Sequence, residues 1–215
     1  MITEATDYAY EAGQMRLLGD VLNMRALLYR RQQRFEDALQ THYTSLEYWL
    51  LSGNYYGIQG FYHNLACWCS DSAKSLPTEN ADGKQALIHA AIQCANTSMT
   101  MCNKYDIGQN SRLTEVLLAD LHAECGDFGK AIESAKAAWK GATSTGSRYE
   151  MAMAAYKILK LHLWRKQYSE AGPRPPPPSR LDSRSGRIAV LSALGNRLAC
   201  GSRALDVGLD SRSKY

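Results

Sequence analysis

Three stretches of the chain set small and large apolar residues in the same order. Ala38 to Leu46, Ala91 to Met99 and Ala131 to Trp139 each read small, apolar, two polar, small or ring, two variable, small, apolar. Apolar positions spaced in this way gather on one face of a helix. The segments that precede them hold a second register, marked by Ala26, Ala66, Ala119 and Leu159 at spacings of 40, 53 and 40 residues. Ala91, Ala131 and Ala171 follow at spacings of 40 and 40. Gly13, Gly53, Asp106 and Gly146 stand 13 residues before the first-helix marks, where a helix must end before the next begins. The pattern predicts helical hairpins repeated about every 40 residues. An insertion of 13 residues accounts for the irregular spacing, and Pro77, Asn80 and Gly83 predict a longer loop over about residues 70–84.

Within each hairpin the turn carries its own signature. Cys125-Gly126-Asp127-Phe128 precedes Ala131, and the aromatic-x-x-Ala spacing recurs at Phe35 with Ala38 and at Tyr168 with Ala171. The aromatic is expected to fill the space between paired helices, and the alanines to let their backbones approach. These features resemble the tetratricopeptide repeat family. Ala26, Tyr29, Phe35, Ala38 and Ser45 follow its pattern, as do Leu118, Ala119, His122, Gly126, Asp127, Phe128, Ala131 and Ala138, while Arg25 departs from it. The resemblance covers about residues 2–171, and the long repeat is similar to that of arrays common in bacterial regulatory and signalling proteins. It implies an all-α fold, a superhelical solenoid of antiparallel hairpins.

Both ends of the array read as partial repeats. Thr3 to Gly13 has the pattern of a second helix, with Tyr8, Ala9 and Ala12 on its packing face. Arg148 to Trp164 reads as a fourth first helix, with a turn and second helix expected from Gln167 to Ala171. Residues 1–171 are therefore assigned to the repeat domain and 172–215 to a Pro/Arg/Ser-rich tail holding five of the six prolines. A flexible linker, a polyproline ligand and a frameshift or fusion scar are all open readings of that tail. It is expected to be disordered for lack of helical periodicity, although Arg187 to Leu198 could form a short helix.

Charge sharpens this division. The net charge of +4 comes from the tail, whose eight Lys/Arg and three Asp leave residues 1–171 at −1. A near-neutral body gives no case for a nucleic-acid surface. No apolar run reaches the length of a membrane span, and the acidic N-terminus lacks the form of a secretory signal. Five of the six cysteines fall in helical segments, which fits reduced thiols in a cytoplasmic protein.

The family resemblance implies that ligands bind on the exposed side of the first helices. Carried across by register, that side holds Asn23, Leu27, Arg30 and Arg31, then His63, Asn64, Cys67 and Asp71. Val116, Asp120 and Glu124 follow, then Tyr156, Lys160 and Trp164. A groove basic at Arg30 and Arg31 and acidic at Asp120 and Glu124 suits an extended or helical peptide charged at both ends. It does not match the family's carboxylate clamp, since Asn23, Leu27, Asn64, Leu113 and Leu117 occupy the clamp positions and only Asn64 agrees. Chemistry is weakly represented. His63 and Cys67 lie one helical turn apart, but Cys69 points away from Cys67, which argues against a metal site. No orienting group for a Cys–His nucleophile is identifiable. His122 and His162 hold the register of a packing tyrosine and read as core residues. Tyr43, Tyr48, Trp49, Tyr55 and Tyr56 gather at the first repeat junction, where packing and a partner hot spot are both open uses.

The expected function is therefore protein or peptide binding without catalysis, cofactor or metal. The alternative is a sensor or dimerisation fragment of a larger bacterial regulator, such as a diguanylate cyclase or transcriptional regulator, whose output domain lies elsewhere. Partial repeats at both ends add the expectation of homo-oligomerisation.

Overall fold

A computed structural model of the chain describes residues 2–170. Among them the structure is all-helical, with eight helices: α1 (Ile2–Glu11), α2 (Met15–Arg31), α3 (Phe35–Leu51), α4 (Tyr55–Ser75), α5 (Ala81–Lys104), α6 (Gly108–Glu124), α7 (Phe128–Thr145) and α8 (Arg148–Glu170). The closest packing joins α2 to α3, α4 to α5 and α6 to α7, the three predicted hairpins. Each second helix also packs against the first helix that follows it. The first helices α2, α4, α6 and α8 touch in succession, each meeting its neighbours in the row. None of the described helices is long and apolar enough to cross a membrane.

The joints explain why the hairpins repeat. Six of them carry one residue in the left-handed backbone region: Gly13, Gln33, Gly53, Asp106, Gly126 and Gly146. After each, the next backbone N–H returns to a carbonyl in the last turn of the preceding helix. Gln14 N donates to Ala9 O at 3.0 Å, Arg34 N to Tyr29 O at 2.9 Å, and Asn54 N to Trp49 O at 2.9 Å. Ile107 N to Cys102 O, Asp127 N to His122 O and Ser147 N to Ala142 O repeat it at 3.0, 2.9 and 3.2 Å. This closure satisfies an orphan carbonyl and reverses the chain within a few residues.

The joint between α4 and α5 differs. The expected long loop over 70–84 is not formed, because most of the inserted sequence lengthens the two helices. The linker is reduced to residues 76–80, and Asn80 caps α5 by accepting from Gly83 N at 3.1 Å. The turn expected near Gln167 is likewise absent, and α8 runs unbroken to Glu170. The expected disorder of the tail falls outside the described residues.

The repeat alanines do what their register predicts. Ala26, Ala38, Ala66, Ala91, Ala119 and Ala131 are all buried. Leu159, which holds the same register on α8, is instead 60% exposed, because among the described residues no helix covers that face. Phe35 also departs from expectation, lying at the edge of its hairpin with its ring 6.2 Å from that of Trp68 rather than inside. The larger core runs through α4 and α5 and includes Ile58, Phe61, Leu65 and Ile88, while α6, α7 and α8 close on a smaller core of alanines with Ile132 and Leu161.

Trp49 locks the first two full hairpins together. Its indole is 2% exposed and donates from Nε1 to Asp20 Oδ1 at 2.9 Å. It is wedged between two glycines on successive first helices. A Cβ at Gly19 would lie 2.6 Å from Trp49 Cδ1, and a Cβ at Gly57 would lie closer still to the other side of the ring. His42 is buried nearby, stacked on Phe61 at 4.5 Å, and its Nε2–H donates to Phe61 O at 3.2 Å. Its Nδ1 is buried without a partner. Burial pushes the imidazole down to about 4, against the opposing pull of the Phe61 carbonyl.

Two outcomes follow from this packing. Gly57→Ala is expected to destabilise the protein by about 1–3 kcal/mol through overpacking against Trp49, and pairing it with Trp49→Leu should recover part of the loss in urea unfolding. His42 takes up a proton in the unfolded chain before it does so in the folded one. Stability is therefore full above pH 6.5 and falls as pH drops from 6.5 towards about 4, by on the order of 3 kcal/mol. Urea titrations across that window should show the slope, and His42→Leu should remove its largest part.

Candidate functional site

The predicted binding face lies along the row of first helices, and the structure shows what its side chains touch. Asn64 on α4 donates from Nδ2 to Asn23 Oδ1 on α2 at 3.3 Å. Arg30 on α2 forms an ion pair with Asp71 on α4. Lys74 on α4 lies 3.7 Å from Glu124 on α6. Lys157 on α8 bonds both carboxylate oxygens of Asp120 on α6, each at 2.6 Å. Arg112 on α6 reaches Glu150 on α8 with Nε at 2.5 Å and a second nitrogen at 3.4 Å. Every neighbouring pair in the row is thus bridged by at least one ion pair.

These contacts divide the predicted residues. Asn23, Arg30, Asn64, Asp71, Asp120 and Glu124 are brought together across neighbouring first helices and tie the row to itself. The basic and acidic ends read from the sequence are neutralised in large part within the chain. Arg31, Tyr156 and Trp164 are exposed, and Leu27, Cys67 and Val116 are half-buried. Lys160 lies over the Trp164 ring at 4.2 Å from its centroid. Arg31 and Tyr156 sit on helices that do not touch each other.

His63 and Cys67 face the α4–α6 seam. His63 Nδ1 is 2.9 Å from Thr114 Oγ1, and its Nε2 is 3.6 Å from Cys67 Sγ. Thr114 in turn lies 3.4 Å from Ser98, which accepts from Gln59 Nε2 at 2.7 Å. Gln59, Ser98 and Thr114 are fully buried, so this chain satisfies polar groups that the core encloses. Burial pushes the His63 imidazole down, with Arg30 adding to the effect. Burial also raises the Cys67 thiol, which Arg30 and Lys74 only partly offset. A neutral imidazole beside a protonated thiol is the opposite of an activated thiolate–imidazolium pair. Cys69 is buried with its thiol raised to about 12. Among the described residues no group of three or more His, Cys, Asp or Glu is placed to hold a metal ion.

The predicted core histidines separate. His122 is half-buried, with its imidazole lowered chiefly by burial, whereas His162 is exposed on the open side of α8. The aromatic cluster serves packing for the most part. Trp49 is buried, Tyr43, Tyr48 and Tyr55 are half-buried, Tyr55 stacks on Tyr105 at 3.9 Å, and Tyr56 is exposed. Lys157, Lys74, Arg112 and Glu150 were not singled out by sequence reasoning. The available signal was register, since Lys157 stands at the position that Asn64 holds two hairpins earlier, once the insertion is allowed for.

No protein-family model matches the chain, and no curated protein matches it significantly.

The Asp120–Lys157 bridge is well enclosed, with side chains 30% and 11% exposed. Asp120→Ala strands a half-buried ammonium and is expected to cost about 2 kcal/mol, less than for a fully buried pair. The double change Asp120→Leu/Lys157→Met should recover most of that loss in thermal melts. An unchanged melting temperature in Asp120→Ala would mean that the bridge does not hold α8 to the row.

Proposed function

We propose that this protein is a binding module that holds a peptide or protein segment along its row of first helices, in the manner of a tetratricopeptide-like array. One observation carries the reading. The backbones of α2, α4, α6 and α8 approach one another in succession, whereas those of the second helices do not. A row drawn tighter on one side curves towards that side and presents a hollow there. The ion pairs between first helices tie this surface together along its length, which suits an extended ligand better than a small molecule.

The self-pairing of Arg30, Asp71, Asp120 and Glu124 shifts the expected ligand chemistry. Recognition rests less on charges at the two ends and more on the exposed groups, namely Arg31 on α2 and Tyr156 with the Lys160–Trp164 stack on α8. Aromatic and Arg side chains of this kind supply most of the energy at protein interfaces. An extended segment with an acidic group and an apolar anchor fits them.

An array of peptides varied in charge and apolar content, read by fluorescence polarisation with the full chain, tests the proposal. Bound peptides are expected to lose about tenfold in affinity with Tyr156→Ala and to lose their preference for an acidic residue with Arg31→Glu. Lys136→Glu, on the exposed side of α7, should change nothing. Equal losses from Lys136→Glu, or no effect of Arg31 and Tyr156 on any bound peptide, would overturn it.

A further inference from the structure

Glycine within a helix costs stability relative to alanine, because it gives up more backbone freedom on folding. Several helical glycines of this chain make room for a neighbour. Gly19 and Gly57 admit Trp49, Gly83 admits the Asn80 cap, and Gly141 lies against the stem of Arg112. Gly60 admits nothing from the fold. It lies in the second turn of α4 without a left-handed backbone, and a Cβ there would meet no atom within 4 Å. A side chain would fit, and the helix would gain from one.

The surroundings of Gly60 belong to the row of first helices. Tyr56, Gly60, His63, Cys67 and Asp71 follow at intervals of four, three, four and four residues, which keeps them on one side of α4. Tyr56, one turn before Gly60, is 52% exposed. Across the seam His63 meets Thr114 at 2.9 Å, and the adjoining Leu113 on α6 is also 52% exposed. Both α4 and α6 are inner members of the row, touched by a first helix on either side, so this opening is not an end of the array. Tyr56, Gly60 and Leu113 together make an uncharged notch. Charge returns eleven residues further along α4, where Asp71 pairs with Arg30 beside the exposed Arg31. At 1.5 Å per residue that is about 16 Å away.

We propose that Gly60 is an anchor point of the binding face, where a large apolar side chain of an extended segment seats while an acidic group of the same segment pairs with Arg31. The proposal rests on the peptide-binding reading and adds to it the spacing of the ligand. A distance of about 16 Å is spanned by about five residues of extended chain, at about 3.3 Å each. The occupant is therefore a segment that carries Asp or Glu and, about five positions away, Phe, Leu or Met. Its acidic group matches Arg31 in charge, and its apolar group matches a notch that holds none. The missing Cβ lets that apolar group approach the backbone of α4.

Fluorescence polarisation of the full chain tests it, with peptides of about ten residues in a Ser/Gly/Thr background. Each peptide carries one Glu and one Phe, and the spacing between them is varied along the series. Affinity is expected to peak near a spacing of five. Gly60→Leu fills the notch and should weaken the best peptide about tenfold, while a version of that peptide with Ala in place of Phe should bind both proteins alike. Gly60→Ala should raise the melting temperature by about 2–4 °C, and Gly60→Leu should melt no lower than the wild type, so lost binding will not reflect lost folding. Binding that depends on Arg31 but is indifferent to Gly60→Leu would overturn the anchor and leave the peptide-binding reading standing. A series in which no peptide binds would overturn both. A lower melting temperature in Gly60→Ala would overturn the anchor by showing that the fold itself needs this glycine.

Discussion

The left-handed residue that ends six of the eight described helices is the constraint on which the rest of the architecture depends. At six joints it turns the chain so that a backbone N–H reaches back into the last helical turn. That closure fixes where the next helix starts and in which direction it leaves. Because the geometry is nearly the same each time, the first helices fall into one row, close enough for Arg30 to meet Asp71 and for Lys157 to meet Asp120. The ion pairs are consequences of the turns. They stiffen a row whose spacing the turns have already set. Four of the six left-handed positions are glycine, which adopts that conformation without steric cost, while Gln33 and Asp106 hold it as side-chain-bearing residues.

Small residues then decide how tightly the hairpins close. Alanine at the crossing of paired helices permits backbone contact, and the two glycines that flank Trp49 permit something different. They let one large aromatic sit between α2 and α4 and bond Asp20 at the same time. Trp49 thus anchors the junction of the first two full hairpins at one end, and the stacking of His42 on Phe61 extends it. The junction of α6, α7 and α8 instead closes on alanines with Ile132 and Leu161, and Phe128 and Ile158 pack against them.

Much of this was legible in the residues. The register of Ala26, Ala66 and Ala119 located the first helices, and Gly13, Gly53, Asp106 and Gly146 located four of the left-handed turns. Gln33 gave no signal, because nothing in a glutamine marks a positive φ. The inserted residues were read as loop from Pro77, Asn80 and Gly83, yet only Pro77 and Asn80 lie in the linker. Gly83 falls in the first turn of α5, where its small size lets Asn80 cap the helix. The turn at Gln167 was expected because Tyr168 and Ala171 hold the repeat spacing, but no glycine or aspartate stands there to end α8. The candidate face was placed on the first helices by register, while its internal pairing was not foreseen. Which charge meets which depends on the stagger between neighbouring helices, and a one-dimensional repeat does not carry that stagger. Leu159 shows the same limit, since register predicts where a side chain points but not whether another helix is present to cover it.

Succession of contacts has a further consequence. Each helix packs against near neighbours in the chain, so no part of the fold waits on a distant segment to be complete. Such chains gain and lose structure in local steps rather than all at once. The largest core lies in the lengthened α4–α5 hairpin, and the terminal helices contribute least to burial. Amide hydrogens in that middle hairpin will therefore be the last to exchange, and the two ends will open while the centre stays folded. The most durable order therefore lies in the hairpin that the insertion lengthens, in residues that flank the insertion such as Phe61, Leu65, Ile88 and Ala91.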